Sequence, residues 1–336
     1  MKNVHVVIPE LFLPRAWSVE ACAGLKLPAL EKLLARAMTE PSPADTLEAW
    51  LCGAFGVAGQ AIAPVTLRAD GMEPGNNYWL CADPVHLRIQ RDQLVLQPGV
   101  SLGADEAAQL CASLNAHFAD EGLRFFAPGP QRWYLQLDAA PDMLTHPLAQ
   151  VAGKNVHAYL PQGADALHWH GVFNEIQMLF HEHAVNLARE ERGELPVNSV
   201  WLWGGGRAMP LACPFAKVYG DSTLAGAFAR AAGIPCAALP DDARDCAGKE
   251  SGDVLLACEG LHRAIQHGDL HAWRTSLQHF EQCCAAPLLD ALCTGRIAQI
   301  TLDVPNGNIA RRFVLTRSGA WKLWQRTRRI THYALV

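Results

Sequence analysis

Short apolar runs separated by longer amphipathic stretches constrain this fold more than any other feature. Residues 4–8, VHVVI, are β-branched and read as a largely buried strand, with Glu10 just past its end. Residues 199–203, 253–258 and 297–302 repeat the pattern, and the last run ends at Asp303. Helical periodicity fills the intervals. Over residues 27–37, Leu30, Leu33, Leu34 and Ala37 recur at three and four. Over residues 172–192, Val172, Ile176, Leu179, Phe180, His183 and Leu187 share one stripe, with Gly193 placed to stop the helix. Residues 270–292 read as a helix bent near Pro287. Strands alternating with helices predict an α/β core around a largely parallel sheet.

Residues 64–138 have another texture. Short strands at 78–82, 85–89, 94–96 and 133–137, turns at Asp70-Gly71 and Pro98-Gly99, and a helix over 104–118 predict an inserted α+β cap domain. The core is then formed by 1–63 and 139–336. Residues 41–45 read as a turn and 46–55 as a further helix.

Half of the 336 residues are hydrophobic and 18% are charged, which excludes disordered and collagen-like classes. The apolar tract 50–65 falls short of the ~20 residues that cross a bilayer, and 4–8 is too short for a signal segment. Eleven cysteines without a CxxC spacing read as buried reduced thiols. Together these predict a cytoplasmic chain with no membrane partner. The formal charge is −5, but its signs are segregated. No acidic residue follows Asp303, while Arg311, Arg312, Arg317, Lys322, Arg326, Arg328 and Arg329 do, leaving 21 cations against 33 acids in the rest. An anion-facing surface at this end is the expectation.

Several local motifs have plainer readings. Residues 99–103 match GxSxG, but a serine ahead of a helix with acids in its first turn is more simply a cap. His168, His170, His181 and His183 cluster without the i, i+4 spacing of a helical metal pair. Gly204-Gly205-Gly206-Arg207 follows a strand and would line a small anion site. Residues 311–316 and 321–326 are expected to form a hairpin around Ser318-Gly319, interleaving Trp321 and Trp324 with cations.

The string HEHAVNLAREERGELPVNSVWLWGGGRAMP, 181–210, resembles the HPVN…R…G…PAN-x-IWLWG-x-G segment of the archaeal-type, cofactor-independent phosphoglycerate mutases. The match runs through His183, Val185, Asn186, Arg189, Gly193, Pro196, Asn198, Trp201, Leu202, Trp203, Gly204 and Gly206. In the same order, 27–37 resembles the family's TPNLDKLA helix, Gly153-Lys154 with Tyr159-Leu160-Pro161 resembles GKP…YLP, and 286–292 resembles the GPLL helix. The resemblance covers most of the chain and is closer still to proteobacterial RpfE-type regulatory proteins. It implies an alkaline-phosphatase-like three-layer core, two divalent metals such as Mn or Zn, and a serine that carries the phosphate.

Residue by residue, the implied metal chemistry is depleted. Glu10 stands where the family has an aspartate, and Ala44 where it has the serine nucleophile, with Ser42 and Thr46 out of register. His267 and Asp269 match one metal segment, Asp303 keeps the aspartate of another, and the last metal histidine finds only Asn308 and arginines. The resemblance therefore implies a degenerate, non-catalytic homologue in a regulatory role, with no cofactor expected. It would bind a phosphorylated or carboxylated small molecule through His183, Asn186, Arg189, Asn198, Arg207, Arg311 and Arg312. One alternative is an active Mn- or Zn-dependent mutase or phosphatase with a site rearranged around Glu10, His267 and Asp303. Nucleic-acid binding through the basic C-terminal hairpin ranks last for a chain of net negative charge.

Overall fold

The computed structural model describes residues 2–97, 99–220, 223–248, 252–307, 309–322 and 324–334. Pro98 of the expected turn and Asn308 of the expected metal stretch lie outside them. In chain order the strands are β1 (Asn3–Val7), β2 (Met38–Pro41), β3 (Tyr78–Gln90), β4 (Gln93–Gln97), β5 (Arg124–Gly129), β6 (Arg132–Leu137), β7 (Ser199–Arg207), β8 (Lys217–Gly220), β9 (Cys236–Ala237), β10 (Val254–Ala257), β11 (Gln299–Val304) and β12 (Arg311–Thr316). They fall into two compact units, residues 1–56 with 210–336, and residues 57–209.

The first unit is built on a seven-stranded sheet of order β2-β12-β11-β1-β10-β8-β9. The five strands from β11 to β9 are mutually parallel, while β12 runs antiparallel between β11 and β2. Alternation along β1 sets its two faces. Val4, Val6 and Ile8 pack with Leu30 and Leu33 of the helix Pro28–Arg36, Leu277 of the helix Leu270–Phe280, and Leu288 of the helix Ala286–Cys293. His5 turns the other way, onto Phe215, which stacks on Trp50 of the helix Leu47–Ala54. Helices thus cover both faces, giving the mixed α/β, mostly parallel core expected. Strands buried on both faces must be apolar, which is why residues 6–8 and 254–257 read as continuous runs.

Among the described residues, the expected hairpin does not form. Both edges of β12 are already occupied, one by β11 and the other by β2, so no edge is left for residues 321–326. Instead the chain makes one helical turn, Arg317–Ala320, capped by Thr316, whose Oγ accepts the Gly319 N–H at 3.3 Å. The bend near Pro287 is a π-helical turn, Glu281–Ala285, between two α-helices. Its Glu281 carboxylate accepts the N–H groups of Ala29 and Leu30 at 2.7 and 2.9 Å, capping a helix whose own N-cap, Leu27, offers no side chain.

The second unit is a five-stranded antiparallel sheet, β4-β3-β6-β5 with β7 on β3, partly covered by the helix Ala104–His117. It extends beyond the expected 64–138 because β7 pairs with β3 from Val85↔Ser199 to Tyr78↔Arg207. Residues 57–63 and 139–209 therefore go with it. The two strands expected at 78–82 and 85–89 are one, running through Pro84. One edge of β3 pairs with β7, while the other pairs with β6 over 78–81 and with β4 over 86–90. Pro84, lacking an N–H, falls between those partners.

Two further expectations change. The helix expected over 172–192 is two, Ala166–His181 and Ala184–Glu191, and Gly193, at φ +73°, stops the second. The glycine run is not an anion loop but part of β7, and a Cβ on Gly206 would overlap that of Ala61. All eleven cysteines are free, yet only six are buried, and Cys213 and Cys236 are exposed. Among the described residues, no helix is long and apolar enough to cross a membrane.

Candidate functional site

The parallel strands of the first unit end together, and Asp303 lies at that carboxyl end. In register Val7↔Asp303, the Ile8 N–H donates to the Asp303 carbonyl at 2.9 Å. The Asp303 side chain is completely buried. The antiparallel register of β11 and β12 sets Asp303 opposite Arg312, whose Nε and Nη2 donate to the two carboxylate oxygens, each at 2.8 Å. This planar, two-bond pairing is the strong form of a charge-assisted hydrogen bond. The Asp303 carboxylate in turn holds the Arg312 guanidinium above its ordinary pKa. Nearby, burial pushes the His5 imidazole pKa down, against the pull of Asp253 and Asp303. Its Nε2 lies 3.7 Å from Asp253, which also accepts the Asn3 backbone N–H at 2.9 Å.

The residues present do not fit the two-metal centre that the resemblance implies. Both Asp303 oxygens accept from Arg312, so a guanidinium already balances the charge of the aspartate that would serve as a metal ligand. His267 is exposed at the end of the helix Gly260–Gln266. Asp269 caps the next helix, accepting the Ala272 N–H at 2.8 Å. Glu10 sits in a left-handed conformation, φ +57°, and its carbonyl accepts the Trp273 indole N–H at 2.8 Å. Ala44 follows β2 in a loop, with Thr46 capping the helix beyond it by accepting the Ala49 N–H at 3.2 Å. Among the described residues, no group of three or more His, Cys, Asp or Glu is gathered to hold a metal ion.

In the second unit, each of the matched polar residues assigned to ligand binding has partners within the protein. Asn186 donates to the carbonyls of Phe180 and Val197, both at 2.7 Å, and accepts the Val197 N–H at 2.9 Å. Asn198 accepts the Leu87 N–H at 2.7 Å and donates to its carbonyl at 2.8 Å, extending the β3–β7 pairing by one side chain. Arg207 donates to the carbonyls of Asn76 and Asp138. His183 caps the helix Ala184–Glu191: its Nδ1 accepts the Val185 N–H at 3.2 Å, so Nε2 carries the proton and donates to Ser113 Oγ, 2.9 Å away. That tautomer is the wrong one for a base acting on Ser113. Burial also pushes the His183 pKa down.

Arg189 donates to the Leu195 carbonyl at 2.9 Å and to Glu106 at 2.7 Å. The sequence offers Glu106 only as one of the acids in the first turn of the helix Ala104–His117, three residues after Gly103. Burial pushes its pKa up, but the Gly103 N–H at 2.9 Å and then Arg192 and Arg189 outweigh that and hold the carboxyl below its ordinary value. It, rather than Ser101, completes the helix cap. Glu106, Arg189, Arg192 and Glu194 border a cavity of about 560 Å³ with the glycine–serine loop, and their charges neutralise one another.

No family model matches the chain. Its relatives are cofactor-independent phosphoglycerate mutases at low identity. It is 33% identical over 124 residues to the 2,3-bisphosphoglycerate-independent phosphoglycerate mutase of Methanosarcina mazei, covering 35% of this chain and 30% of that one. The enzyme of the same name from Methanosarcina acetivorans is 32% identical over 151 residues, covering 43% and 38%. The matches thus span about a third of the relatives' length. Among solved structures, the PH0037 protein of Pyrococcus horikoshii superposes with a TM-score of 0.54 at 11% identity, over 94% of this chain and 87% of that one, a likeness of fold. The cofactor-independent phosphoglycerate mutase of Thermoplasma acidophilum gives 0.48 at 12% identity, over 98% and 94%.

Proposed function

We propose that this chain is a phosphoglycerate-mutase-like protein that has given up metal-dependent phosphoryl transfer and binds a phosphorylated or carboxylated small molecule in a regulatory role. The observation that carries the reading is the buried Asp303–Arg312 pair. A metal entering there would meet a carboxylate whose charge is already balanced by a guanidinium bonded to both of its oxygens, at 2.8 Å each, and would be repelled by that half-buried cation. Ala44, at the position that resembles the nucleophile, has no side-chain oxygen to accept a phosphoryl group. Arg312 and its neighbour Arg311, which packs over the Phe12 ring, lie at the carboxyl end of a parallel sheet, where open α/β sheets take their ligands. The regulatory element rests on the resemblance to RpfE-type proteins.

A thermal-shift titration with 3-phosphoglycerate in excess chelator tests the binding half. A ligand that binds only the native state should add ~2.7 kcal/mol at about 100 times its dissociation constant. A mutase assay supplied with Mn²⁺ or Zn²⁺ tests the other half, and no turnover is expected. Turnover in that assay, or no stabilisation by any phosphorylated or carboxylated metabolite tried, overturns the reading.

A further inference from the structure

The first unit holds a cavity of about 340 Å³ that the anion reading does not use. Its floor lies at the carboxyl end of the parallel sheet, where Ile8 follows β1 and Cys258 follows β10. Leu261, Phe280 and Cys284 complete that floor, and all five side chains are buried. Cys284 belongs to the π-helical turn Glu281–Ala285, an irregularity that recurs at functional sites. Close packing leaves few voids larger than a water molecule, and about 150 Å³ of dry apolar space already admits a benzene-sized molecule. A space of this size is therefore a receptacle rather than a packing defect.

The lining selects what can enter. Thr275, Ser276 and His279 of the helix Leu270–Phe280 bring polar groups to the mouth. The Thr275 hydroxyl donates to the His271 carbonyl at 3.1 Å, and His279 Nδ1 lies 3.5 Å from the Cys283 thiol. Ser276 is half-buried, and no hydrogen bond among the described residues engages its hydroxyl. An ammonium ligand would need an acid here, and no lining residue is Asp or Glu. A carboxylate or phosphate would need Arg263, the lining's guanidinium, which already has a partner in the chain. Glu259, next to Cys258, is likewise partnered, and Asp241, next to Pro240, is exposed outside the lining. We propose that this cavity binds a small uncharged aromatic alcohol, its ring against Ile8, Leu261 and Phe280 and its hydroxyl on Ser276 Oγ. Burial of the ring supplies the affinity, and the hydroxyl pairing fixes the orientation. The proposal does not rest on the anion assigned to Arg311 and Arg312.

The test is isothermal titration calorimetry of the full chain with para-cresol, para-toluate and para-methylbenzylamine, which share a ring and differ in the charge of its polar end. para-Cresol should bind, and the anionic and cationic analogues should bind at least about tenfold more weakly, since neither charge would be paired on entering the cavity. Ser276→Ala should weaken para-cresol about threefold to tenfold, the worth of one neutral hydrogen bond. Ser276→Trp, which sets an indole across the mouth, should abolish its binding. Circular dichroism checks that both variants fold, and the ranking of the three compounds on the parent stands without them. Neither heat of binding nor a rise in Tm at millimolar para-cresol, tighter binding of either charged analogue, or unchanged para-cresol affinity in either variant overturns the proposal.

Discussion

Asp83 is a carboxyl buried in the middle of β3, where its Oδ2 accepts the Trp203 indole N–H at 2.7 Å. Burial pushes its pKa up to about 7, against the pull of that N–H and of Arg132. An unfolded aspartate titrates near ~3.9, so between these values the folded chain holds a proton that the unfolded chain releases. Its contribution is therefore most favourable below about pH 4 and is lost as pH rises through about 7. Asp83→Asn keeps an oxygen for Trp203 and removes the charge. Urea unfolding of the variant at pH 8 should show a gain on the order of 2–4 kcal/mol, with a flatter dependence between pH 4 and 7. An unchanged pH slope would contradict this. Arg312→Ala, by contrast, strands the buried Asp303 carboxylate and should cost about 3–5 kcal/mol in the same measurement, whereas Asp303→Asn/Arg312→Gln should cost less. Equal losses would mean that the pair is not coupled. Asp303 and Arg312 were each legible as candidates in the sequence. Their pairing was not, because it is set by the register of two strands. His183, Asn186, Arg189 and Asn198 teach the converse: a family signature marks positions, and here those positions tie loops and strands together.

Glu281 shows how one element depends on a distant one. Its carboxylate is the cap of the helix Pro28–Arg36, some 250 residues earlier in the chain. Glu281→Ala would leave the Ala29 and Leu30 N–H groups in a buried site without an acceptor, at a cost of roughly 1–3 kcal/mol by thermal or urea unfolding. Glu281→Gln, which retains one acceptor, should recover part of the loss. A change within about 0.5 kcal/mol for alanine would contradict the capping role. Elements were legible in the sequence where their signal is local. The helix Pro28–Arg36 announces itself through its leucine spacing and β1 through its β-branched run. The break at His183 escaped because histidine is not a usual cap residue and the apolar stripe continues across it. The hairpin after Thr316 failed for a non-local reason, since β2 already occupies the edge of β12 that it would need.

At the scale of the molecule, alternation of strands and helices was enough to give the class of core, whereas the change of texture near residue 64 led to an expected unit of 64–138 and the compact unit runs over 57–209. The limits of that unit were not legible, because they depend on β3 pairing with β7 more than a hundred residues later. Charge segregation was visible at once, but its meaning divides between one half-buried arginine paired with the buried Asp303 and other, exposed cations. The central claim is that Arg312 supplies the positive charge a divalent metal would otherwise bring to Asp303. Elemental analysis of the full chain, dialysed with Mn²⁺ and Zn²⁺ and then passed through a desalting column, tests it most directly. The expected result is far less than one retained metal per chain. About two retained metals per chain, as in a two-metal phosphoryl-transfer site, would contradict it.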